Sequence, residues 1–192
     1  MEKELHGPSR FWKIAGCLLV AAFAQTTLPK YNGWLGHIDW LLLVVVYVSL
    51  MRDPTLALLT ATAAGIMHDA ASGGSPLGIN GIAKVLAAYF AYWVSSRIVA
   101  ENLLVSFLTV AGASAINTLV TLGFYRMLKF DLPPLAGINS VMAAMAMGIL
   151  ANLAVSVVLY MLLDRIFKSS GRLRSRRSEA MRAPRRRSGG RL

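Results

Sequence analysis

Six apolar stretches run through the chain, and their number and length narrow its fold more than any other feature. They are Trp12–Leu28, Trp40–Met51, Leu56–Ala71, Ile82–Val99, Leu103–Tyr125 and Ile138–Leu163. A segment that crosses a bilayer needs about 20 mostly apolar residues. It must also satisfy its own backbone hydrogen bonds, so the stretches predict an all-α membrane protein, a bundle of six transmembrane helices. Ten-residue alternating segments, which barrel strands would show, do not occur. The second stretch is short. It reaches span length only if Gly36–Asp39 enter the interface and the helix runs on to Arg52. The third ends in His68-Asp69, and Lys84 opens the fourth. Ionisable residues at such positions mark a function or a built-in pair.

Composition and charge turn this pattern into a topology. Hydrophobic residues make up 56% of 192 and charged residues 15%, with a mean hydropathy of +0.55. That leaves no material for a separate soluble domain. Residues 1–11 read as a short cytoplasmic lead, 12–167 as the membrane domain and 168–192 as a basic tail. From Asp164 onward eleven cations face two acids, a net +9. With the N-terminus inside and six crossings, sixteen cations lie in the cytoplasm and three outside, with Lys84 in the membrane. The positive-inside rule therefore places both termini in the cytoplasm. Almost no apolar residues occur in the tail, so it is expected to be unstructured in isolation. Ala22-Phe23-Ala24 resembles a signal-peptidase site, but the first stretch is read as a retained helix. The single Cys17 lies in an apolar helix and is read as a packing residue.

Small residues recur every fourth position: Ala57, Ala61, Gly65 and Asp69; Ala83, Ala87, Ala91 and Ser95; Ala111 and Ala115; Ala144, Gly148 and Asn152. Such stripes let helices approach closely. They serve packing within the bundle or the docking of a partner helix. Asp69 follows Pro54 by 15 residues, so it lies roughly 22 Å along a helix. Lys84, one turn into the next helix, falls at a similar depth. The two are expected to pair as a clip between antiparallel neighbours, with a ligand site or a proton relay as alternatives. Asn80, Asn117, Asn139 and Asn152 are candidates to complete a network. Asp39 reads as an interface marker. The candidate structural or partner-binding set is thus Asp39, Asp69, Asn80 and Lys84.

Enzyme motifs are missing. The chain has no HExxH, CxxC, Walker loop or GxGxxG, and three His and one Cys are too scattered for a metal. No cofactor is expected. Tail residues Arg172, Arg174, Arg176, Arg177, Arg185, Arg186 and Arg187 form a candidate membrane-surface patch. A basic run beside a membrane meets anionic lipid at about 1 kcal/mol per Lys or Arg, or an acidic protein. Nucleic acid is not expected.

Four pieces in order carry a family resemblance: Asp39-Trp40-Leu41-Leu42-Leu43, Gly65-Ile66-Met67-His68-Asp69, Ser75-Pro76-Leu77-Gly78-Ile79-Asn80-Gly81, and Ala88-Tyr89. A polar residue opens the second helix and Gly-x-x-x-Asp ends the third. A Gly-Ser turn with Leu-Gly then leads into a helix that carries a Tyr. This order resembles the bacterial rod shape-determining MreD family, and the basic tail is longer than that pattern requires. The resemblance implies a non-enzymatic scaffold of the cell-elongation machinery in the inner membrane. It would act on lateral peptidoglycan synthesis beside a single-span MreC-like protein, an MreB-like filament, and the elongation glycosyltransferase and transpeptidase. It also implies a distant likeness to the substrate-binding subunits of energy-coupling-factor vitamin transporters, the rival reading. Those subunits often carry Ala-x-x-x-Ala in the first helix. Here the spacing fails at Ala15/Leu19, Ala21/Gln25, Ala22/Thr26 and Ala24/Leu28.

Overall fold

A computed structural model describes residues 8–72, 78–98, 103–128 and 138–182. Among them are six α-helices: α1 (Pro8–Thr27), α2 (Trp40–Ser49), α3 (Pro54–Ala71), α4 (Ile79–Arg97), α5 (Leu103–Met127) and α6 (Ile138–Arg182). Two short 3₁₀ turns, Leu28–Lys30 and Gly33–His37, join α1 to α2. Three helices are long and apolar enough to cross a membrane, over Arg10–Lys30, Leu104–Met127 and Met145–Ile166.

The organising element is α2, the shortest helix. Its sequence WLLLVVVYVS is apolar all round, the pattern of a helix with no outward face, and nine of its ten residues are buried. It packs against each of the other five helices. One side, through Leu41, Val44, Val45 and Val48, meets Ile14, Leu18 and Ala21 of α1, Ala61 and Ala64 of α3, and Leu163 of α6. The other side, through Leu42, Leu43 and Val46, meets Ala87 and Ala91 of α4, Val110 and Ala113 of α5, and Ala151 of α6. Around this axis α1 packs on α3, α3 on α4, α4 on α5, and α5 on α6. Lys13 of α1 donates to the Ile166 carbonyl of α6 at 2.7 Å, which links the two ends of the ring.

The expected extension of the second helix does not occur. Gly36 and His37 lie in a 3₁₀ turn, Asp39 is the N-cap, and the chain turns at Leu50–Arg52. The reason is local: the Asp39 carboxylate accepts from the Leu42 amide at 2.9 Å, which satisfies a helix-end donor and starts the helix there. Asp53 does the same for α3 through Leu56 at 3.1 Å, with Pro54 in the first turn.

Packing of the small-residue stripes is internal for α3 and α4. Ala57, Ala61, Gly65 and Asp69 are buried, as are Ala83, Ala87, Ala91 and Ser95. A Cβ on Gly65 would run into the backbone of Gly81, 2.7 Å from its nitrogen. The outward faces are apolar instead. Leu58, Leu59 and Ile66 of α3 and Ile82, Leu86, Tyr89 and Trp93 of α4 are exposed. On α3 and α4 small residues face inward and large apolar ones outward, the reverse of a soluble helix.

Several sequence features lie outside the described residues: the turn Gly73–Leu77, Glu101-Asn102, the loop from Lys129 to Gly137, and Arg185, Arg186 and Arg187. The backbone of α6 is helical through Arg182, so it passes through Arg172, Arg174, Arg176 and Arg177. No glycine or proline lies between Arg172 and Arg182 to stop it. The expectation of an unstructured tail concerned the segment in isolation, a separate property.

Candidate functional site: a polar hub at the start of the central helix

Every outer helix sends one polar side chain to the first residues of α2. From α4, Lys84 Nζ donates to Asp39 Oδ2 at 2.5 Å, and this lysine is fully buried. From α5, Asn117 Nδ2 donates to the same oxygen at 3.4 Å. From α3, His68 Nδ1 stands 3.8 Å from Asp39 Oδ1. From α6, Asn152 Oδ1 accepts from the Asp39 amide at 2.9 Å, while its Nδ2 donates to Ser114 Oγ at 3.0 Å. From α1, Gln25 Oε1 accepts from the Trp40 amide at 2.9 Å. The Asp39 and Trp40 amides, which no turn of α2 can use, are thus taken by side chains from two different helices, α6 and α1.

The Asp69–Lys84 clip is corrected by this geometry: Lys84 pairs with Asp39. Asp69 has a different task. Its Oδ2 accepts from the Gly78 amide at 2.7 Å, and its Oδ1 accepts from Asn80 Nδ2 at 2.8 Å and the Asn80 amide at 3.3 Å. The carboxylate that ends α3 therefore caps the start of α4 across the turn. Gly78, at φ +103°, turns the chain into that cap with a backbone that side chains disfavour. Asp39 is no interface marker but the centre of the hub. At 10 residues α2 is about 15 Å long, half of a hydrocarbon core of about 30 Å. Its N-terminus need not reach the surface, because five side chains replace water there.

The four candidate residues form two adjoining units, Asp39 with Lys84 and Asp69 with Asn80, and Asn117 and Asn152 join the first. Of Asn139 only the backbone is described. Sequence reasoning passed over Gln25 and Ser114. Gln25 had a signal, being the strongest polar interruption of the first apolar stretch. Ser114 had none. A smaller polar contact ties the far end of α2 to α6, where Tyr47 Oη donates to Asp164 Oδ1 at 2.9 Å.

Chemically the hub is a compensated pair. A carboxylate and an ammonium neutralise each other, and amides fill most remaining bonding positions, an arrangement that holds helices together. His68 Nδ1, Asn117 Oδ1 and Thr121 Oγ1 are buried without a hydrogen-bond partner among the described residues. No group of three or more His, Cys, Asp or Glu is placed to hold a metal among the described residues.

The family model described as rod shape-determining protein MreD matches residues 10–169, a span that includes the hub and all of α1–α5 except the first two residues of α1. No curated protein and no solved structure matches the chain. With most of its length matched, the chain belongs to the MreD family, shape-determining structural membrane proteins with a role in rod shape and no known enzyme among them.

Proposed function

We propose that this chain is a non-enzymatic scaffold of the cell-elongation complex in the inner membrane. It crosses six times, with both termini in the cytoplasm. It binds a single-span MreC-like partner and helps to control lateral peptidoglycan synthesis, with the filament and the synthetic enzymes as further members of the complex. The family match over residues 10–169 carries this reading. Two physical features support it. Most polar groups of the hub are bonded to one another, which suits a rigid body more than a turnover site. The apolar outward faces of α1, α3, α4, α5 and α6 offer surface to lipid and to other membrane helices. The basic tail adds affinity for anionic lipid or an acidic protein at the cytoplasmic surface.

Crosslinking in the native membrane, followed by identification of the captured chains, tests the proposal. Recovery of an MreC-like protein is the expected result. Recovery of a transporter ATPase module, or a vitamin bound at one per chain in the purified protein, would overturn it in favour of a transporter subunit.

A further inference from the structure

The end of α4 joins an apolar groove to two arginines. The groove, of about 380 Å³, lies between α4 and α5 and is lined by Leu86, Tyr89, Phe90, Trp93 and Ile116. One turn beyond it Arg97 lies over the Trp93 ring, its Cζ 5.9 Å from the ring centroid. Arg52 reaches the end of α4 from the turn between α2 and α3, where its Nη2 donates to the carbonyl of Ile98, the residue after Arg97, at 3.3 Å. Both arginines are exposed. Arg52 has φ +63° and is the one non-glycine with positive φ among the described residues. That backbone favours glycine, so an arginine held there points to a use for its side chain.

We propose that this groove binds an anionic glycerophospholipid, with one acyl chain along Leu86–Trp93 and the headgroup phosphate between Arg52 and Arg97. Guanidinium groups match phosphate oxygens in planar, two-bonded geometry. The groove is apolar along its length and cationic at one end, which complements an amphiphile with an apolar tail and a negative head. A partner helix suits it less. Helices dock in membranes through small residues, and the small-residue stripe of α4 is buried inside the bundle. The groove offers aromatic rings instead. The inner leaflet follows from the proposed orientation; the groove and its two arginines do not depend on it.

Trp93 is the probe. Full-length protein is reconstituted with increasing fractions of phosphatidylglycerol or phosphatidylcholine brominated on the acyl chains. The Trp93 signal is taken as the difference from a Trp93→Phe variant, since Trp12, Trp34 and Trp40 also fluoresce. Brominated phosphatidylglycerol should quench Trp93 at about a five-fold lower mole fraction per arginine engaged. Arg97→Gln should reduce this preference. Arg52→Gly should reduce it too, and because glycine suits the positive φ the fold is retained. Triple replacement of Arg185, Arg186 and Arg187 by Gln removes part of the tail's own attraction for the lipid and should leave the losses caused by Arg97→Gln and Arg52→Gly in place. Equal quenching by both lipids in the parent protein would overturn the proposal. So would a preference that survives loss of both arginines or follows the tail instead. Protection of Trp93 from both lipids would mean that a protein helix covers the groove, and would overturn it as well.

Discussion

Lys84 has two candidate carboxylates, Asp39 and Asp69, and hydrogen bonding decides which one it takes. Asp69 is consumed by the first amides of α4, which neutralise it with three donors and need no cation. Asp39 is left facing the fully buried Lys84. Removal of one partner from a buried pair leaves an orphan charge and costs about 3–5 kcal/mol. Lys84→Met should therefore lower thermal stability in detergent strongly, and adding Asp39→Asn should recover part of the loss. In the same double-mutant cycle Asp69→Asn and Lys84→Met should add, because they share no direct bond. Additive losses for Asp39 and Lys84 would exclude their pairing. Asp69 and Asn80 form their own cycle. Asp69→Ala strands buried donors at about 1–3 kcal/mol, and Asn80→Ala should cost little more once Asp69 is gone. That Asp39, Asp69, Asn80 and Lys84 are polar residues set within or beside apolar runs was legible in the sequence. Their pairing was not. The distance from Pro54 places Asp69 along its helix, whereas no such spacing places Asp39, whose partners come from helices distant in sequence. The cap signal of Asp39, an acid just before an apolar helix, was in the sequence and pointed to the right helix start.

At the scale of helices, α3 and α4 approach closely where Gly65 meets the Gly81 backbone. Gly65→Ala should force the pair apart and cost about 1–3 kcal/mol, the range for overpacking. Gly16, in the middle of α1, has no atom within 4 Å of an added Cβ. Gly16→Ala should be neutral or stabilise by up to about 1 kcal/mol through helix propensity. Melting of both variants in one detergent checks the contrast, and equal effects would argue against a tight α3–α4 seam. All six helices were readable as apolar stretches, and the turns at Arg52-Asp53-Pro54 and Tyr31-Asn32-Gly33 fell where turn-forming residues lie. Four-residue stripes also pointed to the seams of α3 and α4. The central place of α2 was not readable. Its uniform Leu and Val show that it is buried, but not that five neighbours surround it, since order around an axis is set by contacts distant in sequence. The inward faces of α3 and α4 hold Thr60, Asp69, Asn80 and Lys84 while their outward faces hold the apolar residues, an arrangement the apolar stretches alone did not reveal.

For the whole molecule the shortness of α2 makes its crossing a question of parity. At 10 residues, or about 15 Å, α2 covers half of a core of about 30 Å. If it entered and left on one side, α3 would begin outside and α6 would deliver the eleven tail cations outside as well. The positive-inside rule disfavours that outcome heavily, since a dense basic run close after the last span holds it in the cytoplasm. The rest of the thickness can be made up by the 3₁₀ segment before α2 and the turn after it: Ile38 is buried, Leu35 packs on the core, and Met51 is half-buried. The hub then lies below the outer surface, under the Gly33–His37 turn, which packs against α6. A chain with Cys17→Ser as background tests the parity. Tyr31→Cys should react with a membrane-impermeant maleimide in intact spheroplasts. Thr55→Cys and Ser178→Cys should react only after the membrane is opened. Reaction of Tyr31→Cys and Thr55→Cys from the same side would mean that α2 does not cross, and would reverse the orientation of α3 through α6. Reaction of Tyr31→Cys alone from outside is the outcome that six crossings and a cytoplasmic tail require, because it shows that α2 crosses and that Ser178 lies on the same side as Thr55.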